Sequence, residues 1–304
     1  MKVGFLSNQL DNRGTGNALY NYAHYNEEIL GNKSVIYSYA GARHDSEATR
    51  RFTNRFSFNV VYLPQHIDVD ILYHIKSGYD DGFRTRGSLP YVVHSVFDNE
   101  PHGDKYATIS PWMGERFGLP FVPHIVEVAD TNTNLREELG IPEDAIVFGR
   151  YGGLDSFDIS WVWDVIEKIL HYHHNVYFVF MNTDKPNINL PDYKVYFLSA
   201  TVDPVRKRQF INTCDAMIHA RGRGETFGIA VGEFAICGKP IITYSESPEK
   251  AHLQELGNFA LTYNNPDTLY GQLVKVIEGP LVSWGYGQYT PENVMEKFKE
   301  VFLS

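Results

Sequence analysis

The chain has 304 residues, 43% of them apolar and 21% charged, enough to bury two cores of ordinary size. Its net charge of −10 and pI near 5.6 argue against a nucleic-acid partner, which would need a basic surface. Cys214 and Cys237 are the only cysteines, and the first residues lack the apolar stretch of a signal peptide. No apolar run reaches the roughly 18 residues of a membrane span, so the expected compartment is the cytoplasm.

In chain order, residues 3–7 read as a strand, and a helix over 17–29 follows a glycine-containing loop. Residues 35–39, 60–63, 71–74 and 91–96 are further strands, rich in β-branched and aromatic side chains. A short strand at 106–109 precedes Ser110-Pro111, where a helix begins. The pattern then restarts. Residues 134–140 are a small helix closed by glycine, 145–149 a strand, and 159–171 a helix with apolar residues at helical spacing. Strands at 176–181 and 195–198, a helix at 204–213, a strand at 216–220, a helix at 227–237 and a strand at 240–244 follow. A last helix covers 291–302 and opens on proline. Strands alternating with helices imply parallel sheets covered by helices. The expected fold class is therefore α/β: two doubly wound, Rossmann-like domains facing a cleft.

The segment most suggestive of chemistry reads Arg221-Gly222-Arg223-Gly224-Glu225-Thr226-Phe227-Gly228-Ile229-Ala230-Val231-Gly232-Glu233. It follows a strand and leads into a helix. Its glycines let backbone approach a ligand closely, and a helix start offers unpaired N–H groups and a positive dipole end. A diphosphate would sit there in a doubly wound domain. Glu225 and Glu233 flank that anion site. Carboxylates repel phosphate but are good paired acceptors for vicinal hydroxyls of a ribose or hexose. On spacing alone, an equally good reading has Glu225 complementing the helix dipole and Glu233 solvated.

The run resembles the E-x7-E motif of retaining glycosyltransferases of the GT-B fold, family 4, with Glu225 and Glu233 in the acidic positions. Phe234-Ala235-Ile236-Cys237-Gly238-Lys239-Pro240-Ile241-Ile242 is similar to the family's E-A-x-A-x-G-x-P-V-V run. The compact size is also similar to that of glycosyltransferases carried by large algal DNA viruses, which would place the protein in a host's cytoplasm. The resemblance implies an acceptor-side domain over 1–128, a nucleotide-sugar-binding domain over 129–288, and a helix at 289–304 packing back on the first. It implies that Glu225 meets the donor sugar's hydroxyls, helped by the amides of Thr226, Phe227 and Gly228, and that Glu233 meets the ribose. Arg150, in Val147-Phe148-Gly149-Arg150, matches the arginine that clamps the donor diphosphate. Gly14, Thr15 and Gly16, within Asn12-Arg13-Gly14-Thr15-Gly16-Asn17, resemble the glycine-rich loop that faces the donor phosphates. They are a poor dinucleotide fingerprint, because Leu19 stands where a third glycine belongs.

His94 matches a family histidine near the reactive carbon, although a lone histidine ending a strand is more often structural. One position departs from the family. A lysine is expected five or six residues after the arginine, and Asp155-Ser156 stand there instead. Arg206, Lys207, Arg208, Arg221 and Arg223 are the substitutes; Arg221 and Arg223 lie on the motif loop, whereas 206–208 read as a solvated helix face.

The implied reaction moves a hexose, with retention, from a nucleotide-sugar donor to a glycan or glycoprotein hydroxyl. GDP-mannose is the first expected donor and UDP-glucose the next. Neither a cofactor nor an essential metal is expected, and His171, His173 and His174 lack the i, i+4 pairing of a metal-binding helix. Binding to nucleic acid or strong binding to membrane is not expected either, and a homodimer stays open. Two rival readings are a nucleotide-sugar epimerase on the same fold and an inactive nucleotide-sugar-binding protein.

Overall fold

The computed structural model of the chain describes residues 1–11, 13–61, 67–279 and 281–304. The chain splits into two compact units, Met1–Ile125 with Gln288–Ser304, and Val126–Gly287.

Unit 1 runs β1 (Lys2–Ser7), α1 (Gly14–Glu28), β2 (Lys33–Tyr39), α2 (Ser46–Arg55), β3 (Ser57–Val61), β4 (Ile71–Lys76), β5 (Tyr91–Ser95), β6 (Lys105–Thr108) and α3 (Pro111–Phe117). Its six-stranded sheet has the order β3-β2-β1-β4-β5-β6, every pair parallel. β4 and β5 are buried at every position, as strands must be when both faces of a parallel sheet are covered. Leu6, Val35, Tyr37, Leu72, Phe83 and Val93 form one of its apolar clusters.

Unit 2 runs α4 (Arg136–Leu139), β7 (Ile146–Tyr151), α5 (Val162–Tyr172), β8 (Val176–Met181), β9 (Val195–Leu198), α6 (Pro204–Thr213), β10 (Ala216–His219), β11 (Gly224–Glu225) and α7 (Ile229–Ile236). It continues with β12 (Ile241–Tyr244), β13 (Glu249–Lys250), α8 (Ala251–Leu256), β14 (Ala260–Tyr263) and α9 (Pro266–Glu278). A second six-stranded parallel sheet has the order β14-β12-β10-β7-β8-β9, and β11 pairs with β13 in a separate two-residue ladder. α5 buries Val162, Val165, Ile166 and Ile169 on the sheet's Phe148, Phe178 and Phe180. The chain returns to unit 1 as α10 (Pro291–Phe298), continued by a π-helical turn at Lys299–Leu303. There Phe298 stacks on Tyr22 at 5.3 Å and Phe302 meets Tyr73 edge-on at 5.4 Å.

Counting only the strands of each main sheet, both units have the order 3-2-1-4-5-6. The order therefore reverses between β1 and β4 in one unit and between β7 and β10 in the other. In open parallel sheets, ligands bind beyond the carboxyl ends of the strands at such a reversal. The fold class is α/β with two doubly wound sheets, as the alternation of elements implies.

Two local expectations change. The strand expected at 60–63 is β3, five residues ending at Val61; residues 62–63 lie outside the described ones, as does Asn12. Gly14, Thr15 and Gly16 are not loop but the first turn of α1. A Cβ at Gly16 would come within 2.1 Å of the Asp11 carbonyl oxygen, so glycine there lets the end of the β1–α1 connection lie on the helix.

Candidate active site

The loop after β10 is shaped by its glycines. Gly224 has φ +78°, and a Cβ on it would stand 2.0 Å from the Glu249 carbonyl oxygen, so the β11–β13 ladder requires glycine there. Gly228, at φ +90°, is the N-cap of α7. The loop's near end is tied down by Asp158, whose Oδ1 accepts from the Gly222 N–H at 2.6 Å and whose own N–H donates to the Ala220 carbonyl at 3.0 Å. At the far end, the Tyr286 hydroxyl donates to the Phe227 carbonyl at 2.6 Å. In α7 the Gly232 N–H reaches the Gly228 carbonyl at 2.9 Å, so the amides of Ile229, Ala230 and Val231 precede the helical ladder.

Glu225 is held in this frame with a side chain only 20% exposed. Arg221 Nη1 donates to its Oε2 at 2.7 Å, and His219 Nε2 lies 3.2 Å from Oε1. Burial works against the ionised form, but the His219 hydrogen bond and the Arg221 charge outweigh it and hold the carboxyl at about 2. Glu225 is thus an anion at any working pH. Two of its roughly four lone-pair sites are filled, and the rest can accept hydroxyl protons.

Glu233 is buried on α7, and Lys207 on α6 pairs with its Oε1. Arg208 reaches the Cys237 sulfur, while Arg206 pairs with Glu138 on α4 at 2.5 Å. The expectation of a solvated face over 206–208 therefore holds for none of the three in full. Lys207 and Arg208 reach residues of α7 and its C-cap from half-buried positions, while α6 buries Phe210, Ile211 and Thr213, which the run of basic residues does not reveal.

Arg150, next to last in β7, is almost fully buried, 3% exposed. Nη1 donates to the Asn182 carbonyl at 3.1 Å and Thr183 Oγ1 at 2.5 Å; Nη2 donates to the Gly153 carbonyl at 2.8 Å and Ser156 Oγ at 2.5 Å. Burial lowers its pKa to about 10, which still leaves it charged. Ser156, standing where a lysine is expected, is therefore a partner of Arg150. The guanidinium fixes the loop after β7, at the order reversal of unit 2. Arg221 is one-quarter exposed and committed to Glu225; Arg223 is 48% exposed, with Nη2 3.9 Å from Glu249. Thr226 and Phe227 are buried, and Phe227 packs edge-on against Tyr286 at 5.5 Å.

His94 requires correction as a sugar-facing residue. It is 0% exposed; Nδ1 meets the Tyr73 hydroxyl at 2.7 Å, and Nε2 meets the carbonyls of Val122 at 2.8 Å and Thr108 at 3.2 Å. Burial pushes its pKa down to about 4, against the two carbonyls. With both nitrogens used and the ring packed on Phe302 at 5.2 Å, His94 is a core residue of unit 1. Among the described residues, Asp80, Asp81 and His102 could converge on a cation, but Asp80 already binds Arg84 at 2.7 Å and Asp81 binds Lys76 at 2.6 Å.

The structure thus gathers Arg150, Arg221, Arg223, Glu225, Thr226, Phe227, Gly228 and Glu233 in unit 2, while Gly14, Thr15, Gly16 and His94 belong to unit 1. His219, Thr243 and His252 join the site without having been singled out for it by sequence, and Lys207, one of the five basic candidates, joins it through Glu233. No helix among the described residues is long and apolar enough to cross a membrane.

No family model matches the sequence, and no curated protein matches it. Solved structures do match. Anabaena HepE in complex with UDP-glucose superposes with a TM-score of 0.67 at 14% identity, covering 99% of this chain and 95% of that one. A glycosyltransferase from Rickettsia africae gives 0.64 at 12% identity, over 99% and 93% of the two chains. WaaG, a glycosyltransferase involved in lipopolysaccharide biosynthesis, gives 0.61 at 12% identity, over 98% and 94%. What is shared at this level of identity is the fold, and over nearly its whole length the chain has the α/β architecture of GT-B glycosyltransferases.

Proposed function

We propose that the protein is a glycosyltransferase that moves a hexose from a nucleotide diphosphate to a hydroxyl of a glycan or glycoprotein, with retention of configuration. The observation that carries this reading is Glu225, a mostly buried carboxylate kept ionised by Arg221 and His219 just before the glycine-capped start of α7. A carboxyl with so low a pKa is a poor general acid at neutral pH. It is a good fixed acceptor for sugar hydroxyls, and the amides at the start of α7 suit the diphosphate. Arg223 is the exposed cation we assign to the developing charge on the leaving group. Glu233, oriented by Lys207, takes the ribose.

Arg150 then acts by holding the loop that borders the site rather than by touching phosphate. The departing diphosphate oxygen takes the proton of the incoming hydroxyl on the same face, so no side chain forms a covalent intermediate. UDP-glucose, the ligand of HepE, stands beside GDP-mannose as a donor to test first. Unit 1 is assigned the acceptor, and no metal is assigned a role.

Calorimetric titration with UDP-, GDP-, ADP- and dTDP-sugars tests the reading. One donor class should bind selectively, and adding acceptor glycans should release the nucleoside diphosphate. Folded protein that binds none of them would overturn it. An isomeric nucleotide sugar formed from donor alone would replace transfer by epimerisation.

A further inference from the structure

Behind Glu225 lies a line of polar side chains reaching into the core of unit 2. His219 Nδ1 is 2.9 Å from Thr243 Oγ1, and Thr243 Oγ1 is 3.0 Å from His252 Nε2. His219 is 5% exposed, and Thr243 and His252 are 0% exposed. The contacts follow from the topology. His219 and Thr243 are register partners in the parallel pair β10–β12. The β11–β13 ladder sets Glu225 opposite Lys250, and His252 follows two residues later in α8. The two histidine rings lie 5.0 Å apart, centroid to centroid.

The proton positions in this line are fixed by counting donors. A carboxylate can only accept, so His219 Nε2 carries a proton toward Glu225. With Nδ1 as the acceptor, the Thr243 hydroxyl must donate to it. That uses the hydroxyl's only proton, so His252 Nε2–H must donate to Thr243 Oγ1. His252 Nδ1 is then left as a bare lone pair, and it is a buried atom with no hydrogen-bond partner among the described residues. The opposite direction would put a proton on that nitrogen and strand a donor in the core, the costlier defect. Burial independently favours a neutral His252, lowering its pKa to about 3.

We propose that His252, Thr243 and His219 form a one-directional hydrogen-bond chain that positions the Glu225 carboxylate for the donor sugar, His252 being its anchor. The inference rests on Glu225 having the role assigned above. The chain restricts the carboxylate to one rotamer and fills one oxygen from behind, so that hydroxyls meet the remaining lone pairs. His219 and Thr243 are positioning residues, acting through Glu225.

Thr243→Val and Thr243→Ser separate this role from packing. Valine keeps the volume and removes the hydroxyl, whereas serine keeps the hydroxyl and loses a methyl group. The chain predicts that Thr243→Val lowers kcat about tenfold with donor KM within about twofold, and that Thr243→Ser stays within about twofold of wild type. Wild-type kcat in the valine variant, or equal losses in both, would overturn it. Long-range 1H–15N spectra of histidine-labelled full-length protein provide a second test, with His219→Gln and His252→Gln giving the assignments. Nε2–H tautomers at both histidines support the chain, and an Nδ1–H tautomer at His252 overturns it. That measurement needs no turnover. A protein that processes no nucleotide sugar would therefore sink the proposed function while the tautomers still decide the chain.

Discussion

His94 in unit 1 and His219 in unit 2 lie at comparable places, each near the carboxyl end of a buried parallel strand. Each uses both ring nitrogens. His94 spends them on a tyrosine hydroxyl and two backbone carbonyls, all uncharged and all inside the core. His219 spends them on a threonine hydroxyl and a carboxylate that is one-fifth exposed. Two sheets of identical strand order thus make different use of the same residue type. Burial and strand position do not separate the two histidines; the charge of the partner does.

Replacing that charge should have the largest effect. Glu225→Gln preserves shape but leaves Arg221 and His219 facing a neutral amide. Turnover should fall about 10²–10³-fold, in the range for loss of one preorganised transition-state contact, while nucleotide affinity changes only a few-fold. Initial rates and calorimetry on the same preparation check both halves. Unchanged turnover would remove the functional half of the contrast.

His94→Ala tests the other half. It strips partners from the Tyr73 hydroxyl and from the Val122 and Thr108 carbonyls and opens space beside Phe302. Urea unfolding should show a loss of about 3 kcal/mol, with kcat near wild type at a temperature where the variant is folded. A collapse of kcat in stably folded protein would return His94 to the sugar site.

How much of this was legible in sequence depends on distance along the chain. The parallel α/β class and the glycine-shaped loop could be read because their signals are local: strand runs, turn residues, and a helix start after a strand. Local signals could also have given α9, whose Asn265-Pro266-Asp267-Thr268 opening forms a capping box, yet the predicted elements leave 245–290 empty. α2 offers less, since it buries only Ala48 and Phe52 on an otherwise polar helix, and α8 is only six residues long. The chain behind Glu225 has no local signal. His219, Thr243 and His252 are brought together by strand register, and no spacing in the sequence marks that. Lys207 stood among the candidates but could not be told from its neighbours: Arg206, Lys207 and Arg208 look alike in sequence, and only the packing of α6 decides which of them meets Glu233.

Acid should separate the units by degree. Burial lowers His74 to about 3, His94 to about 4, and His124 well below 6.5. Each such group has a folded pKa below its unfolded one. Its stabilisation is complete above pH 6.5 and drains as pH falls through the folded value. Unit 2 has His252, at about 3, in the same class. Glu225 contributes fully above its ordinary 4.5 and is lost only as pH approaches about 2. Hydrogen exchange compared at about pH 7 and about pH 5 should therefore show unit 1 amides losing more protection than unit 2 amides. Equal losses would mean that the buried histidines of unit 1 do not set its acid response.

The smallest expected change in stability is the most informative about the donor. Three cations named in the site, Arg221, Lys207 and Arg223, differ in their commitments. Arg221 is bound to Glu225 and Lys207 to Glu233, so removing either disturbs a carboxylate as well as a charge. Arg223 is half exposed, so that water screens much of its charge, and its Nη2 lies 3.9 Å from Glu249. Arg223→Ala should shift unfolding free energy by no more than about 0.5 kcal/mol. If Arg223 meets the diphosphate, the affinity for a nucleoside diphosphate should still fall about five- to tenfold, by about 1 kcal/mol. The affinity for the bare nucleoside should not move, because the missing group is the phosphate's partner alone. Parallel losses for both ligands would instead mean that Arg223 shapes the loop, leaving the amides at the start of α7 as the principal phosphate ligands.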